Sequence, residues 1–478
     1  MPRATLGKVT ATSAGALCLL AAGAFAQEPV APGKFIPSFA VKYASTEGWP
    51  PAAEAARFDL LDVSSGTNHA RVHASQHGNT WQTLKRLNPH LVIILYQMGP
   101  AEYNTASWGK LGEGWEWITT HHGAGSADRW TALGARYGTY LQSRAYKNER
   151  LMVVGNPNWQ RFWLEQVWAN LWGGSEPIGA GADGIFADNT RYTIPWLNGW
   201  FREGHPDQPD VPAEYYRDGA YQPEVFKAEM KTFLARAVPW LAARGCKLVL
   251  NFGDMARDPA AWAELDAEPH PVFAAMEEGA FVHPWGGRGS FVFRPEAEWL
   301  NQVRTMRSLK RVRALMNVHG PVAAEAPDFG RMDSADASGN RAWDVLWYAL
   351  TSFLQGYDDV RQNAYLNFTV WGYNRFYWLK EFDPAFLHLG RARGEMERVQ
   401  GAAGYVYLRE FDDGWAAVNP TTSEARAVPV PTGRARVLDH HTLEKPDTQP
   451  LVDRFDLPAH RGCVLLKPDR QAGNGDNR

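Results

Sequence analysis

Residues 183–189 read DGIFADN, a turn followed by a short apolar segment that ends in a carboxylate and an amide. The segment is apolar along its length, as a strand covered on both faces must be. Asp188 ends this segment, and packing in a core strand does not require an acid there. The pattern predicts a buried parallel strand with a reactive group at its carboxyl end.

Similar apolar segments recur along most of the chain and alternate with stretches of helical periodicity. The other predicted strands are Phe35–Tyr43, Phe58–Val63, Leu91–Gln97, Lys247–Asn251, Gly279–Pro284, Val312–Asn317 and Leu366–Val370. The predicted helices include Gln160–Trp172, Glu224–Ala243 and Asp344–Leu354. Eight strands interleaved with helices predict an α/β fold, a (β/α)8 TIM barrel with long loops. The alternative is an open doubly wound sheet, but no Gly-rich phosphate turn follows the first strand.

The remaining parts of the chain differ in character from the predicted barrel. Residues 1–26 combine a basic start, an apolar run and Ala24-Phe25-Ala26, which predicts a signal peptide cleaved after Ala26. We assign residues 27–398 to the barrel. Residues 399–468 contain short strand-like runs without helical period, which predicts a small antiparallel, sandwich-like β domain. Residues 469–478 are polar and predict a disordered tail.

Composition limits the classes of partner. The 49 Lys and Arg residues against 52 Asp and Glu give no basic surplus, so no nucleic-acid partner is indicated. After signal cleavage no segment is apolar enough to span a membrane, and we expect a periplasmic or secreted protein. Cys246 and Cys463 fit buried apolar positions better than a disulfide. The 21 Trp residues favour a carbohydrate ligand, because indole faces suit stacking on sugar rings.

Polar side chains at the predicted strand ends define the candidate site, because a barrel collects such ends at one mouth. Asp188 is the strongest catalytic candidate, although an acid at this point could also cap a helix. The residues expected to bind substrate are Tyr43, Asp62, Tyr96, Asn189, Asn251, His283, Asn317 and Trp371. Trp371 is the expected stacking platform. The aromatic members could equally belong to the barrel core.

The second carboxylate is ambiguous. Glu277 and Glu278 are adjacent, so on an extended segment only one of them can face the site. We prefer Glu278, with Glu277 and Asp254 as rivals, and a solvated charge pair as the structural alternative. Glycosidic cleavage needs two such carboxyl groups, one as an acid and one as a nucleophile or base.

Motifs of competing chemistries are missing from the sequence. It contains no HExxH or CxxC metal motif and no Gly-x-Ser-x-Gly nucleophile turn. His69, His73 and His77 would share a helix face, but Gly66 and Gly78 favour a loop there. We therefore expect no metal and no cofactor.

Short motifs across residues 35–467 resemble bacterial glycoside-hydrolase-like barrels related to the polygalactosaminidase and α-galactosidase group. The motifs are LKRLNP at 84–89 leading into Leu91–Tyr96, ADGIFADN at 182–189, and LREF at 408–411 with Gly414 and VNPT at 418–421. The resemblance implies a catalytic carboxylate on strand four, which matches Asp188. It also implies a partner on strand five or six, which Asp254, Glu277 or Glu278 could supply.

The sequence thus predicts an exported glycoside hydrolase that cleaves a poly- or oligosaccharide, with Asp188 as nucleophile or base and Glu278 as general acid. Two alternatives remain open at this point. One is a non-catalytic polysaccharide-binding or export-associated barrel. The other is a polysaccharide lyase, which would leave unsaturated product ends.

Overall fold

A computed structural model describes residues 34–43, 49–64, 80–103, 111–175, 177–194, 199–321 and 330–468 of the chain. Its centre is an eight-stranded parallel sheet in which each strand pairs with the next one along the chain. The strands are β1 Phe39–Lys42, β2 Leu60–Ser64, β3 Val92–Met98, β4 Gly184–Asp188, β5 Lys247–Asn251, β6 Ala274–Glu278, β7 Arg313–His319 and β8 Ala364–Thr369. A parallel bridge between Ser38 and Leu366 brings the first and last strands together. The predicted TIM barrel is confirmed.

Helices follow most of the strands and cover the outside of the barrel. They are α1 Ala52–Ala55, α2 Trp81–Leu87, α3 Trp115–His122, α4 Pro157–Trp172, α5 Pro223–Ala242, α6 Pro259–Ala267, α7 Glu296–Ser308, α8 Gly330–Asp333 and α9 Ala342–Gly356. Local signals set their ends: Asn156 accepts the Asn158 and Trp159 amides at the start of α4, and Pro223 occupies the first turn of α5. No helix in the described ranges is long and apolar enough to cross a membrane.

The interior of the barrel is filled by alternate residues of the strands, among them Phe39, Ile94, Phe186, Val249 and Met276. The residues between them point outward and pack against the helices. This strict alternation decides which polar residue at a strand end faces the mouth of the barrel.

The prediction for strand six was wrong. The strand is Ala274–Glu278 rather than Gly279–Pro284. Gly279 and Phe281 have φ values of +78° and +61°, which an extended strand does not allow. Both acids of the Glu277-Glu278 pair therefore lie on the strand, and Glu278 is its last residue.

A six-stranded antiparallel sheet and a separate two-stranded one follow the barrel in the chain. The C-terminal strands are β9 Glu397–Gln400, β10 Tyr405–Glu410, β11 Gly414–Asn419, β12 Ala425–Pro429, β13 Ala435–Leu438, β14 Leu451–Val452, β15 Arg454–Leu457 and β16 Arg461–Leu466. Helix α9 is buried from Val345 to Gly356 because it lies between the barrel and the six-stranded sheet: Gln355 donates to the Ala416 carbonyl over 3.0 Å. Cys246 and Cys463 are free and buried.

A small four-stranded sheet is inserted after β3 and β4, at the mouth of the barrel. Its strands are Glu102–Tyr103, Glu149–Arg150, Leu141–Ser143 and Trp200–Arg202, in that spatial order. The sequence pattern did not predict this sheet, since strands of two or three residues carry almost no periodicity. It brings Glu149 and Tyr146 toward the carboxyl ends of the barrel strands.

Candidate active site

The candidate site is a pair of carboxylates held by one amide. Asp188 ends β4, Asn251 ends β5 and Glu278 ends β6, so three neighbouring strands present their last side chains at the same edge. The Asn251 side-chain nitrogen donates to Asp188 Oδ1 over 2.9 Å and to Glu278 Oε2 over 3.2 Å. All three residues are partly accessible, whereas the strand residues beneath them are buried.

The spacing of the pair follows from this shared donor. Because both oxygens contact one nitrogen, they lie no more than about 6 Å apart. Retaining glycosidases hold their two carboxyl groups roughly 5–5.5 Å apart, and inverting enzymes roughly 6.5–9.5 Å apart. The bound concerns one oxygen of each carboxyl group, and for that pair it lies below the inverting range.

Three tyrosines, of which Tyr43 contacts the other two, each donate to a different acid. Tyr43 donates to Asp62, Tyr96 donates to Asp188 over 2.7 Å, and Tyr373 donates to Glu278. The Tyr43 ring lies 4.7 Å from the Tyr96 ring and 5.1 Å from the Tyr373 ring. Burial, followed by the charge of the nearby acids, raises the pKa of Tyr43 and Tyr373, so both remain neutral donors.

Asp188 has the strongest set of donors in the site. Its carboxylate accepts the Tyr96 hydroxyl, the Asn251 amide and, over 2.8 Å, the Asn189 backbone N–H. Burial and then the charge of Glu278 raise the pKa of Asp188, while these three hydrogen bonds oppose the rise.

A third acid, Asp62, lies beneath the pair. It is fully buried, and its Oδ1 has no hydrogen-bond partner in the described part of the chain. Burial raises its pKa well above the ordinary value, and the charges of Asp188 and Glu278 add to the rise, while the hydrogen bond from Tyr43 opposes it.

The structure places the other predicted residues around this centre. Asn317 donates to the Tyr373 hydroxyl over 2.8 Å and accepts from Asn367 over 2.8 Å, which fixes the phenol that contacts Glu278. The Asn189 side-chain nitrogen donates to Glu149 Oε1 over 3.5 Å. His283 lies past β6, and its pKa is lowered to about 4, mainly by burial.

Trp371 and two of the acids point elsewhere. Trp371 is only 5% exposed and packs edge-on against Tyr377, so its ring is not an open platform. Asp254 pairs with Arg191 over 3.1 Å in the loop after β5. Glu277 faces the helices, where it accepts the Met255 amide and the Gln302 side chain, each over 2.8 Å.

The variant Glu277→Gln therefore distinguishes the role of Glu277 from that of the adjacent Glu278. We expect hydrolytic activity within about twofold of wild type, because the side chain points away from Asp188. The glutamine cannot accept both hydrogen bonds, so a buried donor is left unpaired and stability falls by about 1–3 kcal/mol. Thermal unfolding and a hydrolysis assay on the same preparation check both statements. A loss of activity without a loss of stability would reinstate Glu277 as the catalytic partner.

Several residues of the site follow from the structure and were not selected from the sequence: Asn367, Tyr146, Glu149 and Trp285. Burial, followed by the charges of Asp188, Glu278 and Glu149, raises the pKa of Tyr146 to about 12, although the side chain is half exposed. The charges of the carboxylate pair therefore act on this phenol. The histidines at positions 69, 73 and 77, which the sequence places in a loop, lie outside the described residues. In the described ranges no group of three or more His, Cys, Asp or Glu could hold a metal ion.

Glu149 makes the stability of the protein depend on pH. Burial, followed by the charge of Asp188, raises its pKa to about 8, so the folded state binds a proton that the unfolded chain releases above about pH 4.5. Stability contributed by this group is therefore lost as the pH rises from about 4.5 to 8. Glu149→Gln should be more stable than wild type by about 2–4 kcal/mol at pH 9 and similar at pH 4.

Thermal melts across this range measure the effect, with the exposed Glu165→Gln on α4 as control. The control should follow the wild-type curve at every pH. Parallel curves for wild type and Glu149→Gln would contradict a buried, protonated Glu149.

Together the barrel, the paired strand-end carboxylates and the surrounding hydroxyl and amide donors define a glycoside-hydrolase-like barrel. Residues 85–415 match the family described as hypothetical glycosyl hydrolase family 15, and the chain belongs to that family. No curated protein sequence matches the chain.

Solved structures with a similar fold have low sequence identity to the chain. The glycoside hydrolase domain of PelA from Pseudomonas aeruginosa is 16% identical, with 72% of this chain and 98% of that chain covered and a TM-score of 0.39. The trehalulose synthase MUTB is 9% identical, with 91% and 100% covered and a TM-score of 0.44. The α-galactosidase AgaB from Geobacillus stearothermophilus is 9% identical, with 87% and 52% covered and a TM-score of 0.37. The family assignment rests on the sequence match.

Proposed function

We propose that the protein is an exported glycoside hydrolase that cleaves a poly- or oligosaccharide with retention of configuration. The observation that carries this proposal is the pair Asp188 and Glu278, whose Oδ1 and Oε2 accept from the same Asn251 nitrogen and so lie at most about 6 Å apart. Export rests on the signal-peptide pattern of residues 1–26.

Asp188 is the proposed nucleophile. Its three hydrogen-bond donors favour the anion, and an anionic carboxylate oxygen can attack the anomeric carbon. Glu278 is the proposed general acid: it protonates the glycosidic oxygen as the bond to the leaving sugar breaks. In the second half of the reaction Glu278 takes a proton from water, whose oxygen displaces Asp188 from the anomeric carbon and restores both groups.

The test is hydrolysis of a panel of gluco-, galacto-, hexosamine and uronic-acid oligosaccharides by the purified mature protein. Product reducing ends report cleavage, and NMR of the first-formed product reports its anomeric configuration. We expect cleavage of at least one class with the anomeric configuration retained. Inversion would contradict the assignment of Asp188 as nucleophile. Unsaturated, ultraviolet-absorbing ends would indicate a lyase, and binding without cleavage would indicate a non-catalytic barrel.

A further inference from the structure

Trp285 differs from the other described tryptophans in its exposure. It is 50% exposed, and within the described ranges every other Trp has a smaller exposed fraction. Single exposed apolar side chains are common on protein surfaces, so exposure alone does not indicate a ligand. The position of Trp285 beside the carboxylate pair is what distinguishes it.

That place is next to Glu278, on the side away from Asp188. The Trp285 ring lies directly over Gly279, the residue after Glu278: a Cβ at this glycine would come within 2.4 Å of the ring. The ring also lies beside His319 at the end of β7, with centroids 6.2 Å apart. The strand order at the mouth is β4, β5, β6, β7, with Asp188 at the end of β4 and Glu278 at the end of β6. Trp285, beside the end of β7, therefore lies on the far side of Glu278 from Asp188.

The ring is held in a fixed orientation. The planes of His283 and His319 lie within 23° and 22° of the Trp285 plane. Burial lowers the pKa of both histidines to about 4, so they pack as neutral rings at neutral pH. A short hairpin, in which Val282 pairs with Phe293, supports the segment that carries Trp285. A platform held in this way loses little entropy when a ligand covers it.

We infer that Trp285 is the stacking platform for the sugar on the leaving-group side of the scissile bond. This inference rests on the proposed function, because it takes Glu278 as the acid that protonates the leaving oxygen. A pyranose whose C–H bonds cluster on one face would lie on the indole, with its hydroxyl edge toward solvent. The substrate would then have a sugar, rather than a small aglycone, as its leaving group.

The experiment compares two substrates built on the same sugar, the oligosaccharide that wild type cleaves and the corresponding glycosyl fluoride. Fluoride leaves without a ring that could stack on Trp285. For Trp285→Ala, kcat/KM should fall about 10- to 100-fold on the oligosaccharide, mainly through KM, and at least tenfold less on the fluoride. Trp285→Phe should recover part of the loss because it keeps an aromatic face.

The control is Trp168→Ala, which removes a half-buried tryptophan from the outer face of α4, where it packs on Trp172 and Trp240. Its ratio of the two kcat/KM values should match that of wild type. Equal losses of kcat/KM on both substrates for Trp285→Ala, or no loss on either, would overturn the subsite while hydrolysis itself stands. A wild-type protein that hydrolyses neither substrate would overturn the proposed function and the subsite with it.

Discussion

Asp188→Asn is expected to lower kcat about 10⁴-fold or more on every substrate, glycosyl fluorides included. The amide has nearly the shape of the carboxylate but cannot form the covalent bond to the anomeric carbon. The loss is the same for good and poor leaving groups because the nucleophile is needed whichever bond breaks. Steady-state kinetics on a fluoride and on an oligosaccharide measure it.

The same change should not harm the fold. Burial and Glu278 raise the pKa of Asp188, so ionising this group costs stability at neutral pH, and a neutral amide removes that cost. We expect an unfolding temperature equal to that of wild type or higher by about 1–3 °C. Binding of the oligosaccharide should survive, since Tyr96 and Asn251 remain in place.

Asp183→Asn is the matched control, at the opposite end of the same strand region. Asp183 accepts the Ile93 amide over 2.7 Å and pairs with Lys85, far from the barrel mouth. Its substitution should lower stability by about 1 kcal/mol and leave kcat within about twofold. Activity of Asp188→Asn near the wild-type level, or equal losses in both variants, would contradict a nucleophilic Asp188.

The barrel could be predicted because its strands are short, apolar and separated by amphipathic helices. Gly184–Asp188 and Lys247–Asn251 were placed to the residue, since each is bounded by a glycine or a charged residue on one side and a polar group on the other. Burial on both faces leaves a continuous apolar run, and such a run is visible in a single sequence.

The partner of Asp188 could be narrowed to two adjacent acids but not fixed. Alternation states only that Glu277 and Glu278 face opposite sides, and the phase of the strand decides which one faces inward. The structure sets that phase: Ala274 and Met276 belong to the barrel interior, so Glu278 points to the mouth. Because the residues after Gly279 are apolar, the predicted strand was placed at Gly279–Pro284, after both acids. That placement gave no information on which of the two acids faces the barrel interior.

Residues contributed by loops were beyond prediction for a different reason. Trp285 and Tyr146 reach the site through a hairpin and an inserted sheet, and the conformation of such segments depends on tertiary contacts rather than on local pattern. Conversely, Trp371 follows β8 directly and had the expected position of a platform, yet packing against Tyr377 buries it. Whether an aromatic side chain at the barrel mouth is exposed therefore depends on how the loops around it fold.

In Glu278→Gln the loss of kcat/KM should depend on the leaving group of the substrate. A general acid contributes roughly 10²–10⁴-fold when the leaving oxygen needs a proton, so kcat/KM on the oligosaccharide should fall by that factor. Fluoride departs as the anion, so formation of the glycosyl-enzyme from a glycosyl fluoride should lose less than about tenfold. Glu278 is the carboxyl group that shares the Asn251 nitrogen with Asp188, and two carboxyl groups are needed for the reaction.

A second variant tests the same role from the other half of the reaction. In Glu278→Ala, water lacks the base that would deprotonate it, and azide needs none, so added azide should restore turnover on the fluoride and give a glycosyl azide of retained configuration. Glu277→Gln, one residue earlier and facing the helices, is the control and should show neither effect. If Glu278→Gln lost as much on the fluoride as on the oligosaccharide, Glu278 would hold the nucleophile or the substrate in place rather than deliver a proton.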